Sequence, residues 1–284
     1  MRVLVATDFS TRSNRALRQA GLSIHLDKSQ LYVLHVVDDD QPQELIHMEK
    51  REAERVLREQ MESMPELRGV DATPMVIAGD PFDGILRACA SVKADLIVMG
   101  THRKQLLLDI IVGTTIERVI RKGSVPVLMV NNEAQRTYEN VVVPVDMSDA
   151  SANALRFVLS TWLVPDERVT LLHAFSALAK RKMFVAGTDA ASIDSYVASE
   201  RQWTMDELAA FLVANDLARR RWSLRVEEGG AMEVISRAVS DLSPDLLVMG
   251  THGRSALLKA LIGSVTEEAL RSLTVDILVV PPNK

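Results

Sequence analysis

Residues 95–130 read DLIVMGTHRKQLLLDIIVGTTIERVIRKGSVPVLMV, and residues 245–280 read DLLVMGTHGRSALLKALIGSVTEEALRSLTVDILVV. The two stretches align without a gap at an offset of 150 residues, Asp95 to Asp245. Upstream, VLVATDFSTRSNRAL from Val3 lies over VVVPVDMSDASANAL from Val141, and LYVLHVV from Leu31 over VTLLHAF from Val169, both 138 residues apart. The second copy has therefore gained 12 residues between Phe175 and Gly229, because Gly79 and Gly229 already obey the later offset. A pattern written twice, each copy long enough for its own core, is a duplicated domain, and a length of 284 residues suits two domains of ordinary size. We place them at residues 1–133 and 138–284, with NNEAQRTYEN (131–140) reading as the polar linker.

Within each copy, short β-branched runs alternate with longer helical ones. VLVAT, LYVLHVV, MVIA, LIVMG and VPVLMV are mostly apolar on both faces, as parallel strands covered on both sides must be. NRALRQAGLSI, ELIHMEKREAERVLREQME, DGILRACASV and TTIERVIRKG place apolar residues at three- and four-residue intervals. The fold class is α/β, in the form of two tandem doubly wound domains, each a parallel five-stranded sheet with helices on both faces, Rossmann-like. Ligands in such sheets bind beyond the carboxyl ends of the strands, at the switch point. VATDFS and VMGTHR in copy one, and VPVDMS and VMGTHG in copy two, occupy those ends.

Composition narrows the function classes. Apolar residues at 47% and charged residues at 25% are ordinary for a globular chain, and no apolar run reaches the ~18 residues that a membrane span needs. Asp8 interrupts the apolar start MRVLVATDFS, which argues against a secretion signal and for a cytoplasmic location. The single cysteine, Cys89, sits in the helical run ILRACA and reads as core packing. A formal charge of −5 provides no general attraction for nucleic acid.

In copy two, strand DLLVM runs into Gly250-Thr251-His252-Gly253, and nine residues later Gly263-Ser264-Val265-Thr266 opens a helix. Glycines there let backbone approach a ligand, the free N–H groups and dipole of the helix attract phosphate, and Ser264 and Thr266 can add hydroxyls. The alternative for the same residues is a tight turn followed by an ordinary helix cap. These spaced glycines, the Asp after the first strand and the repeat layout together resemble the universal stress protein family. Its nucleotide-binding members carry G-x2-G-x9-G-[S/T] after the fourth strand, which Gly250, Gly253, Gly263 and Ser264 match.

The resemblance covers nearly the whole chain, twice. It implies an adenine nucleotide, ATP with or without Mg or Mn, with Pro144 and Ala174 lining the adenine pocket, Met249 beside it and Asp146 at the adenosine end. The phosphates would lie on residues 250–253, His252 included, and 263–266. For Asp146 the alternative is a cap on the following helix, and both roles can coexist. The resemblance also implies pairing through the last strands, so that VPVLMV and VDILVV form an internal pseudo-dimer, with a homodimer as a further possibility. No nucleic acid or membrane partner is expected.

Copy one departs from the motif. Gly100, Gly113 and Thr114 are in place, but Arg103 replaces the second glycine, and Ala6 stands where copy two has Pro144. Arg103 either fills the phosphate space or clamps phosphate with its guanidinium. Asp8, Val36 and Met99 keep the adenosine end. His35 and His173, at matching places inside apolar strands, read as buried hydrogen-bonded residues. The basic cluster Lys180, Arg181 and Lys182 in the added segment reads as a solvated loop, with a lid over phosphate as the alternative.

The function that follows is a nucleotide-binding stress or signalling protein, in which ATP bound mainly by copy two regulates conformation or partner contacts. The alternative is a slow Mg-dependent ATP hydrolase, for which Glu267 is a base by chain position alone. An adenylating enzyme of similar architecture fits poorly, because SGGxDS, HIGH, KMSKS and Walker A sequences are absent. The contrast at one position generates a test. Gly253→Arg carries copy one's side chain into copy two's turn and should lower calorimetric ATP affinity at least about tenfold. Unchanged affinity would remove phosphate from this turn.

Overall fold

The computed structural model describes residues 1–24, 29–101, 115–161, 163, 168–218, 222–251 and 262–282. Domain 1 runs β1 (Arg2–Ala6), α1 (Thr11–Ile24), β2 (Gln30–Val37), α2 (Gln43–Ser63), β3 (Ala72–Ala78), α3 (Pro81–Val92), β4 (Leu96–Gly100), α4 (Thr115–Lys122) and β5 (Val127–Val130). Domain 2 repeats this order as β6 (Val141–Pro144), α5 (Asp149–Ser160), β7 (Val169–Phe175), α6 (Lys180–Val185), α7 (Ala190–Ala214), β8 (Ser223–Glu228), α8 (Ala231–Leu242), β9 (Leu246–Gly250), α9 (Ser264–Ser272) and β10 (Asp276–Val280). The added residues of copy two are spent on α6 and on an α7 of 25 residues against 21 in α2.

Each domain orders its strands 3-2-1-4-5, and the two sheets join into one of ten strands, β3-β2-β1-β4-β5-β10-β9-β6-β7-β8. All neighbours are parallel except β5 and β10, which meet antiparallel with Leu128 opposite Leu278. Those leucines are each other's repeat equivalents, so the two-fold relating the copies passes through this pair. VPVLMV and VDILVV thus cover each other's edges. The outer edges are blunted differently: β3 carries Pro74, and β8 carries Arg225 and Glu227, which pair with each other.

Alternation along the strands sends side chains into two cores. Val3, Val5, Leu96, Val98, Leu128 and Leu278 pack on one face with Leu17, Leu57, Leu155 and Leu208 of α1, α2, α5 and α7. Leu4, Ile97, Met129 and Ile277 pack on the other, with Ile85, Val119, Ile235 and Ala269 of α3, α4, α8 and α9. Both layers run unbroken across the β5–β10 seam. Cys89 is buried in the second of them. Among the described residues, no helix is long and apolar enough to cross a membrane.

The linker is fastened to the start of β10. Asp276, 3% exposed, accepts hydrogen bonds from the Asn131 and Asn132 amides at 2.8 and 3.0 Å and from the Tyr138 hydroxyl at 2.7 Å. Burial pushes the carboxyl's pKa up, these bonds pull it down, and the balance lies above the usual aspartate value. Burial, with Asp276 beside it, raises the Tyr138 hydroxyl well above the ordinary tyrosine value. Tyr138→Phe leaves a buried carboxylate short of a donor and should cost about 1–3 kcal/mol in urea unfolding. A folded-state pKa above the unfolded one removes stability as pH rises through the interval between them. Asp276→Asn should therefore gain stability relative to wild type across that interval, and a pH-independent difference would refute the assignment.

Candidate functional site

The carboxyl ends of β6 and β9 diverge, and a cavity of about 320 Å³ opens between them. β1 pairs with β4 along four residues, Val3 to Ala6, whereas β6 pairs with β9 at Val141 and Val142 alone. The sequence supplies the reason. Val145 donates its amide towards β7, to Leu172 at 2.8 Å, so the preceding residue's donor position faces β9. That residue is Pro144, which has no N–H. Its counterpart Ala6 keeps the donor, and the domain 1 ladder stays closed for longer.

Beyond the strand, the chain turns through a strained residue in both copies: Phe9 has φ 62° and Met147 φ 59°. Non-glycine residues in this region are disfavoured by about 1–2 kcal/mol, and the aspartate just before each one holds it there. Asp146 Oδ1 accepts from the Ser148 amide at 3.1 Å and hydroxyl at 2.5 Å. Ser148 in turn caps α5 by accepting from Ser151 N at 3.2 Å, so the capping role weighed for Asp146 belongs to Ser148. In domain 1, Asp8 Oδ1 accepts from Ser10 N at 3.0 Å and Ser13 Oγ at 2.7 Å. Burial acts to raise the Asp8 pKa, but the bonds from Ser10 and Ser13 outweigh it and hold the pKa below the usual value.

The turns are also pinned by the two histidines, which are half-buried and hydrogen-bonded. His35 Nδ1 donates to the Thr7 carbonyl at 2.9 Å and His173 Nδ1 to the Val145 carbonyl at 2.5 Å. A carbonyl can only accept, so Nδ1 carries the proton in both rings.

Nine of the eleven expected site residues are described, and all nine line this cavity: Pro144, Asp146, Ala174, Met249, Gly250, Gly263, Ser264, Val265 and Thr266. His252 and Gly253 lie outside the described residues, as do His102, Arg103, Gly113 and Thr114 of domain 1. Gly263 is the N-cap of α9, so the amides of Ser264, Val265 and Thr266 have no intrahelical acceptor and stand at the cavity wall. Thr266 Oγ1 donates to the Gly250 carbonyl at 2.9 Å, tying α9 to β9. Gly250 has a packing reason of its own: a Cβ there would meet the Ala150 backbone of α5 at 3.0 Å. At Gly100 the clash is closer, 2.4 Å from the Arg12 carbonyl oxygen.

Sequence reading missed the α8 wall, Ala231, Val234 and Ile235. A signal for it exists. Copy one pairs Val36 with Gly84, whose absent Cβ would lie 2.8 Å from Val36 Cγ2, and copy two exchanges the bulk, with Ala174 on the strand and Val234 on the helix. Such a reciprocal change marks two positions that face each other.

Domain 1 has a matching cavity, also about 320 Å³, lined by Asp8, Arg12, His35, Val36, Gly100 and Thr115 among others. The start of α3 borders it too, through Pro81, but this helix end is capped by a side chain. Asp80 caps α3, accepting from Phe82 N at 3.0 Å and Asp83 N at 3.2 Å, and Arg118 Nη2 lies 3.6 Å from the Asp80 carboxylate. In domain 2 the same position is Gly230, without a side-chain cap, and Ala231 of the open helix end lines the cavity. Two helix N-termini, α8 and α9, therefore border the domain 2 cavity with glycine at the N-cap, and among the described residues no side chain caps either. Lys180 of the basic cluster is held away at the end of β8, 2.7 Å from Glu228.

A model of the universal stress protein family matches residues 1–131 and 137–281. A universal stress protein of Methanocaldococcus jannaschii is 25% identical over 154 residues, covering 46% of this chain and 95% of that protein. Universal stress protein E of Escherichia coli K12 is 25% identical over 211 residues, 72% of this chain and 66% of its own length. The crystal structure of a universal stress protein from Archaeoglobus fulgidus superposes with a TM-score of 0.69 at 18% identity, covering 99% of this chain and 98% of that one, which establishes a common fold.

The packing at the two glycines separates a structural role from a ligand role. Gly100→Ala should destabilise the protein by about 1–3 kcal/mol without any nucleotide present, and Gly250→Ala by less, in chemical denaturation. Stability unchanged in both would mean that these glycines are needed only by a ligand.

Proposed function

The chain belongs to the universal stress protein family and carries its domain twice, and we propose that it is a cytoplasmic ATP-binding member whose nucleotide is held mainly by domain 2. The observation that carries this reading is the pair of uncapped helix N-termini, α8 and α9, at one cavity. Anions are stabilised at such ends by free amides and by the helix dipole. Part of the lining is apolar, with Ala174, Met249, Val234 and Ile235, as a flat heteroaromatic base requires. Asp146 is also among the lining residues, and a carboxylate there can accept from ribose hydroxyls. ATP, with or without Mg or Mn, supplies the concentrated negative charge that such helix ends attract.

On this reading the residues bind and do not turn over. Nucleotide bridges α8, α9 and the loop after β6, which all border this cavity, and so stabilises one conformation for partner contacts in the stress response. The hydrolase alternative asks Glu267 to serve as base, but its carboxylate pairs with Arg271 at 2.7 Å and does not line the cavity.

Domain 1's own cap provides the test. A side chain at Gly230 meets nothing within 4 Å, so Gly230→Asp is sterically free and copies Asp80 into domain 2. It should leave thermal stability equal or slightly raised, as a better N-cap does, while weakening calorimetric ATP binding several-fold by placing a carboxylate at the anion-attracting pole. Asp146→Ala should weaken it about tenfold or more. ATP binding indifferent to both substitutions, or absent from wild type, overturns the proposal.

A further inference from the structure

The two-fold at Leu128 and Leu278 also relates α4 to α9, since Glu117 and Arg121 lie 150 residues before Glu267 and Arg271. Across the seam, Arg271 donates from Nε to Glu117 Oε1 at 2.9 Å and from Nη2 to Oε2 at 3.4 Å. Glu117 is buried, with 7% of its side chain exposed. Symmetry calls for a second bridge, Arg121 to Glu267, and the structure does not form it. Glu267 Oε1 instead pairs with Arg271 Nη2, at 2.7 Å along its own helix. Arg121 keeps a buried Nε with no hydrogen-bond partner among the described residues. One arginine serves two glutamates, while among the described residues its counterpart serves neither.

A buried N–H without an acceptor is unfavourable, and the acceptor that would satisfy this one is the glutamate that symmetry places opposite it. Glu267 follows Thr266 in the first turn of α9, and Ser264 to Thr266 line the domain 2 cavity. An anion at that helix end competes with Glu267 for the positive pole, and the added negative charge makes a second cation beside the glutamate more favourable. Resting on the reading of this cavity as a nucleotide site, we infer that Glu267 is a two-position switch. It pairs with Arg271 as seen in the structure, and crosses to Arg121 when nucleotide binds.

Crossing supplies the missing bridge, so that α4 and α9 are held together at two symmetric points instead of one. Thr115 and Ile116 of α4 line the domain 1 cavity. Nucleotide in domain 2 is thereby transmitted to the first turn of the helix bordering the other cavity, and by linkage the second bridge strengthens nucleotide binding.

The test uses the full chain, ATP titration by calorimetry, and amide hydrogen exchange along residues 115–122, in wild type, Arg121→Met and Glu267→Gln. Arg121→Met removes the unsatisfied N–H and keeps an apolar stem, so its melting temperature should not fall. Glu267→Gln leaves the Arg271–Glu117 bridge intact. In wild type, ATP should slow α4 exchange about fivefold or more. In each variant the slowing should vanish, and the ATP dissociation constant should rise about fivefold, at the low end of ordinary coupling. Binding heat in wild type with unchanged α4 exchange overturns the switch alone, as does slowing that survives in Arg121→Met. No binding heat in wild type overturns the nucleotide reading and the switch with it.

Discussion

The hydrogen-bonded seam between β5 and β10 is the constraint on which the rest of the molecule depends. Each domain's last strand is apolar on both faces, all four residues of β5 and all five of β10 being buried, and its edge would be a template for aggregation if left open. Antiparallel pairing about Leu128 and Leu278 closes both edges at once. It also makes one ten-stranded sheet of two, extends both core layers across the junction, and brings α4 alongside α9. The linker is drawn into the same region, because Asp276 at the first residue of β10 gathers donors from Asn131, Asn132 and Tyr138. The duplicated domains thus share one sheet and two continuous core layers, and Arg271 of α9 pairs with Glu117 of α4 across the seam.

Against this symmetric frame, the two cavities differ through small local changes. Pro144 takes one donor from the β6–β9 ladder and opens the strand ends, whereas Ala6 keeps domain 1 closed to the end of β1. Gly230 leaves a helix pole bare, whereas Asp80 neutralises its counterpart with an internal carboxylate. Volume is the same in both halves. What distinguishes them is the opening of the strand ends and the charge at the wall, a bare α8 pole in domain 2 against a capped α3 end and Arg12 in domain 1.

Other features belong to both copies and are independent of that difference. The left-handed Phe9 and Met147, the Asx turns at Asp8 and Asp146, and the histidines donating to the carbonyls of Thr7 and Val145 all shape the loop after the first strand. Gly100 and Gly250 let that loop's helix, α1 or α5, approach the end of the fourth strand. Glycine at the end of this strand therefore has a packing requirement of its own, whatever a ligand asks of it. A motif match at that position alone does not distinguish the two.

Sequence by itself determined the duplication, the alternation of strands and helices, and the neighbourhood of the candidate site, because these rest on short-range periodicity and on two copies that can be laid over each other. LIVMG and LLVMG could be read as strands buried on both faces without knowing what covers them. Gly263 to Thr266 were legible from their place at a helix start, whereas Pro144, Asp146, Ala174 and Met249 were named through the resemblance to the universal stress protein family, at strand ends the repeat had already marked. Tertiary structure decided what depends on contacts between distant segments. It showed that α8 completes the cavity wall, for which the Val36–Gly84 and Ala174–Val234 exchange was an unread signal, and it alone showed that Ser148 and not Asp146 caps α5, that the Thr266 hydroxyl is spent on the Gly250 carbonyl, and that Arg271 reaches Glu117 across 154 residues of chain. The physical reason is that a side chain's partner is set by where the backbone carries both groups in space, and a linear pattern records the spacing of only one of them.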